Sequence, residues 1–127
     1  MQPVWAEEAP LWSACLACQT ACLAAIVEVG VSLAPPMCQA LPALMQQCVN
    51  ACELVLLALA RGRSALLDAR ECADLCLACG QALQQASGFQ DCVCACLGCD
   101  AQCRYYADGA QSLALRNAGI NSGEAQQ

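Results

Sequence analysis

The sequence predicts an all-α protein, an antiparallel up-down-up-down four-helix bundle with a cysteine-lined core. Three observations predict it. Alanine, leucine and glutamine are abundant while β-branched residues are scarce, which favours helix over strand. Glycine and proline gather at a few breaks, at Ala34-Pro35-Pro36, Arg61-Gly62-Arg63, Ser87-Gly88 and Asp108-Gly109. Between the breaks cysteine recurs at intervals of three and four, the spacing of one helix face.

The elements follow in order. Residues 1–10 form an N-terminal arm or a short extra helix. The bundle proper occupies residues 11–107, with a first helix at about Leu11 to Leu33 and a second at about Met37 to Ala60. Pro42 removes one internal hydrogen bond from the second, so that helix either starts at Pro42 or kinks there. The third is expected at about Ser64 to Ala86 and the fourth at about Phe89 to Ala107. Short connections between long helices make neighbours antiparallel. Residues 108–127 are read as a flexible tail, since Gln111 to Gln127 is polar, glycine-punctuated and poorly periodic.

Composition excludes several functions. Of 127 residues only 13% are charged, and eleven acids against five arginines give a net charge of −6. No basic patch for nucleic acid can be built from so few cations. Histidine is absent, which removes the commonest general base, the commonest nitrogen ligand of zinc and any Cys/His nucleophile pair. With no catalytic constellation left, the chain is not expected to be an enzyme. Mean hydropathy is +0.46. Polar residues nevertheless break every apolar run short of the roughly 20 residues that span a bilayer, so no membrane is expected. The first twelve residues carry no basic charge and do not read as a secretory signal, which points to the cytoplasm.

The fourteen cysteines carry the chemistry. On an ideal helix Cys15, Cys18 and Cys22 share an arc of about 60°, and Cys48 and Cys52 lie about 40° apart. Cys72, Cys76 and Cys79 repeat the first pattern, and Cys92, Cys96, Cys99 and Cys103 make a narrow stripe over three turns. These twelve point inward. Measured from the Arg61-Gly62-Arg63 turn, all four stripes fall between roughly 6 and 23 Å, so the thiols share one channel. Cys94 faces away, and Cys38 sits apart near Met37, Met45, Ile26, Val29, Leu33, Leu83 and Phe89.

A channel of cysteines is expected to be too hollow to close by packing alone, since four cysteines fill far less space than four leucines. Disulfides are disfavoured in a chain with strong helices and ample leucine, and neighbouring cysteines on one helix project in parallel. Zinc prefers isolated closed tetrahedra. Iron–sulfur clusters need about four cysteines each, and twelve thiols match about three, although the ferredoxin spacings are absent. Cu(I) accepts few thiolates and tolerates bridging, which suits a continuous channel best.

Cys15-x-x-Cys18-x-x-x-Cys22, Cys48-x-x-x-Cys52, Cys72-x-x-x-Cys76-x-x-Cys79 and Cys92-x-x-x-Cys96-x-x-Cys99-x-x-x-Cys103 resemble the pattern of the bacterial copper storage proteins. The resemblance implies a bundle that holds many Cu(I) ions through core cysteines, in a homotetramer. It also implies a copper mouth at one open end, for which Met37 and Met45 are the matching residues. The candidate metal ligands are those twelve cysteines, Cys38, Met37 and Met45, and the alternative reading is a multi-cluster iron–sulfur redox protein.

Overall fold

A computed structural model of the chain describes residues 4–119. It contains four helices: α1 (Val4–Ser32), α2 (Met37–Ala60), α3 (Leu66–Gln84) and α4 (Gln90–Gly119). Each packs against the next around a ring, with α4 closing on α1 and the diagonal pairs apart. The expected four-helix bundle is therefore the fold.

The connections are short because each is built from residues that stop a helix. Ala34, Pro35 and Pro36 turn the chain between α1 and α2, where the Ala34 carbonyl accepts the Met37 and Cys38 amides at 3.0 and 3.3 Å. After α2, Gly62 has φ of +68°. Its amide donates to the Leu59 carbonyl at 3.1 Å while the Arg63 amide reaches back to the Ala58 carbonyl at 2.9 Å. That pair of bonds is the Schellman arrangement, and its left-handed position suits glycine. Gly88, with φ of +99°, makes the bend between α3 and α4.

The outer boundaries differ from expectation. α1 begins at Val4 instead of following an arm, and Pro10 lies inside it. Pro10 leaves the Ala6 carbonyl without its usual donor, but Pro10 is exposed, where water can serve. α4 continues to Gly119, so residues 108–119 are helix. Gly109 weakens a helix by about 1 kcal/mol without blocking it sterically. Downstream, Gln111 accepts a hydrogen bond from the Arg70 guanidinium of α3 and pins the extension. The rest of the expected tail, residues 120–127, lies outside the described residues, as does the side chain of Trp5. α2 runs from Met37 straight through Pro42. A Cβ on Gly30 of α1 would stand 3.7 Å from the Pro42 ring and 3.8 Å from the Cys38 carbonyl, so α1 comes close where proline interrupts the bonding.

Hydropathy also differs from expectation. Glu8–Ser32 and Met37–Ala60 are both long and apolar enough to cross a membrane by length and composition. Gln19, Thr20 and Glu28 interrupt the apolar runs in α1 without lowering its mean enough. Half of the α2 window is buried in the bundle, against 22% for α1. α1 thus turns cysteines inward and Leu16, Leu23, Val27 and Val31 outward.

Candidate metal centre

All fourteen cysteines are free thiols, and the twelve on the inward stripes are buried. Cys94 is exposed, as its angle on α4 requires, and Cys38 is half-buried. α1 supplies Cys15, Cys18 and Cys22, α2 Cys48 and Cys52, α3 Cys72, Cys76 and Cys79, and α4 Cys92, Cys96, Cys99 and Cys103. No one helix could assemble the centre. It exists only where the four stripes meet.

The sulfurs form an unbroken chain along the bundle axis. Cys92 lies 3.7 Å from Cys22, and Cys22 3.7 Å from Cys96. Cys96 is 3.8 Å from Cys18, which is 3.5 Å from Cys48 and 3.7 Å from Cys76. Cys48 and Cys76 approach to 3.2 Å. Cys76 continues to Cys72 at 3.7 Å, and Cys72 to Cys52 at 3.7 Å and Cys99 at 3.9 Å. Cys99 then meets Cys15 at 3.7 Å, and Cys15 meets Cys103 at 4.0 Å. Cys79 is buried beside Cys22 and Cys96.

This geometry corrects one expectation. The channel is not hollow: its sulfurs are in mutual contact. Small neighbours explain it, because Ala51, Ala58, Ala69 and Ala73 are buried beside the cysteines and let the helices close up.

Three groups of four sulfurs each lie within 4.8 Å of one another: Cys15, Cys52, Cys72 and Cys99; Cys18, Cys52, Cys76 and Cys99; and Cys18, Cys22, Cys48 and Cys96. A metal–sulfur bond of ~2.3 Å places ligand sulfurs ~3.8 Å apart in a tetrahedron, ~4.0 Å in a trigonal site and ~4.6 Å in a linear one. The observed contacts of 3.2 to 4.0 Å are therefore near tetrahedral and trigonal spacing and need about 0.6 to 1.4 Å of spreading for a linear pair. The core can hold metal ions without rebuilding the fold. The groups are not independent, however. Cys52 and Cys99 belong to the first and second, and Cys18 to the second and third.

Hydrogen bonding among the thiols divides their acidities. Cys18 is lowered to about 6, foremost by its bond with Cys22. The same neighbour relation heads the causes that push Cys22, Cys76 and Cys96 upward, with burial adding to each. Cys52 is lowered to about 6, led by Cys15. Cys99 is raised, Cys103 being its largest cause. A thiolate at Cys18 or Cys52 is thus held by S–H donors that remain protonated.

Met37 and Met45 lie past Cys48, the channel thiol of α2 nearest the α1–α2 turn. Met45 is fully buried with Leu41, Val29 and Leu83, and Met37 is half-buried against the same core. Trp12 packs partly buried near the opposite end. The polar residues mostly tie helices together. Gln19 donates to Glu53 at 2.9 Å between α1 and α2. Arg104 donates to Asp100 at 2.6 Å and to Asp74 of α3 at 3.2 Å, so it binds carboxylates and not helix-end carbonyls. The Tyr106 hydroxyl accepts the Ala65 amide at 3.3 Å, while Tyr105 is exposed.

Sequence reasoning did not anticipate a groove of about 930 Å³ beside Cys92, walled by Ala21 and Ala25 of α1 and by Phe89 and Asp91. Its only sequence signal is the run of alanines on the flank of α1. Comparison of the chain with protein-family models, curated proteins and solved structures returned no match.

Proposed function

We propose that this chain is a Cu(I) storage protein that sequesters several cuprous ions through thiolates of the bundle core. The observation that supports it is the sharing of Cys18, Cys52 and Cys99 between adjacent four-sulfur groups. Shared sulfurs suit a soft monovalent ion whose thiolates bridge, and they work against zinc, which takes closed sites with four ligands of its own. The iron–sulfur reading meets a second obstacle. A cluster places inorganic sulfide and iron between its cysteines, and sulfurs already touching would have to be driven well apart.

Storage chemistry follows from the thiols. Each cuprous ion that replaces one thiol proton leaves the net charge of the core unchanged, so many ions can enter without accumulating buried charge. No electron moves and no bond of a substrate is made or broken; in this role the protein is not an enzyme. Ligands must remain reduced, which fits a cytoplasmic setting. Assembly into a homotetramer is part of the same proposal, on the resemblance given above.

An anaerobic titration of reduced protein with Cu(I), against a chromophoric competitor, tests the reading. Several ions per chain should bind before the competitor colours, and Cys94→Ala should bind as many. Saturation at about one or two ions would overturn storage. Acid-labile sulfide and brown colour after anaerobic purification would favour iron–sulfur clusters instead.

A further inference from the structure

Among the described residues, only one cysteine of the sulfur chain keeps any surface exposure. Eleven of the twelve channel thiols have no exposed area, and Cys92 retains 4%. Among the described residues, apolar side chains close both ends of the channel. Toward the α1–α2 turn Val29, Met45 and Leu83 are fully buried and Leu41 is 2% exposed. At the other end Leu11, Leu59 and Ala107 are 2%, 4% and 3% exposed, and Ala65 is fully buried under Tyr106.

Cys92 instead lines the lateral groove between α1 and the start of α4. Glu28 and Asp91 line it as well, and no basic side chain does. The groove is therefore suited to a cation. From Cys92 the next sulfur is Cys22 at 3.7 Å, and Cys96 follows at a further 3.7 Å.

Resting on the storage reading, we propose that Cu(I) is admitted sideways through this groove, with Cys92 as the first thiolate to take it and Cys22 as the second. Cu(I) leaves its carrier, the Cys92 thiol proton passes to solvent, and a Cu–S bond forms with no change of oxidation state. The ion then moves inward by exchange of one sulfur for the next, each already in contact. Ala21 and Ala25 keep the passage open because a methyl group is all that either places in it.

The test follows the rate at which reduced protein develops thiolate-to-copper absorbance when Cu(I) is supplied as its acetonitrile complex. Cys92→Ala and Ala25→Leu should load at least about tenfold more slowly than the parent, a barrier increase of about 1.4 kcal/mol. Ala25→Leu removes no ligand and adds a good helix former, so it carries the test if Cys92→Ala does not fold. Cys94→Ala, which deletes the exposed thiol outside the channel, should load at the parental rate. Unslowed loading by Cys92→Ala and Ala25→Leu would overturn the lateral route. The parent's saturation level separately judges storage. Should the parent take only one or two ions, timed alkylation of the reduced apo-protein by iodoacetamide still decides: Cys92 must react first among the twelve buried thiols, and any other order refutes the portal.

Discussion

At 3.2 Å the Cys48 and Cys76 sulfurs are too close for two thiolates, so a proton stands between them. The same holds along the chain. Cys15, Cys22, Cys76, Cys96 and Cys99 are all raised, with S–H bonding to neighbours as the largest cause and burial adding to it. A group whose folded pKa lies above its unfolded value contributes stability below the unfolded value and loses it as pH rises further. Cys18 and Cys52, lowered to about 6, gain stability as pH rises from ~6 to ~8.5, so the apo-protein's urea midpoint should rise toward pH ~8 and then fall by pH ~10.5, because an unfolded thiol ionises near ~8.5. An unchanged midpoint over that range would mean these thiols are not held neutral. The spacing of three and four sufficed to tell the twelve inward cysteines from Cys94. It could not reveal which sulfurs touch across helices, since that depends on how far alanines such as Ala69 and Ala73 let the helices approach.

Among the elements, the α2–α3 connection is the clearest case of local sequence setting geometry. Gly62 adopts φ of +68°, and no neighbouring atom would obstruct a Cβ there. The cost of Gly62→Ala is thus purely conformational, and the variant should lose about 1–2 kcal/mol in equilibrium urea unfolding while retaining its copper capacity. That turn was readable from Arg61-Gly62-Arg63. The ends of α1 and α4 were not, because Pro10 and Gly109 are stop signals that exposure and the Arg70–Gln111 contact override. Gly80 carried no signal either. A Cβ there would meet Leu97 at 2.7 Å, so this glycine sets how near α3 lies to α4 beside Cys79 and Cys96. Only the packed partner gives such a glycine its meaning.

For the whole molecule, the outward stripe of α1 stands out. Leu16, Leu23, Val27 and Val31 are 45%, 52%, 72% and 79% exposed along one side. A helix apolar all round is normally covered. Proposed association into a tetramer would cover this stripe, and light scattering on the purified protein should find four chains, reduced to one by Val27→Glu with Val31→Glu. A parental monomer would remove α1 as an assembly face.

The overlap of the four-sulfur groups at Cys18, Cys52 and Cys99 has a further consequence. An ion that settles in one group draws its common ligands toward itself and hands the adjoining group a partly ordered, already deprotonated half-shell. Successive occupancies are then thermodynamically linked, and a partly filled population should split into nearly bare and nearly replete molecules instead of spreading evenly between them.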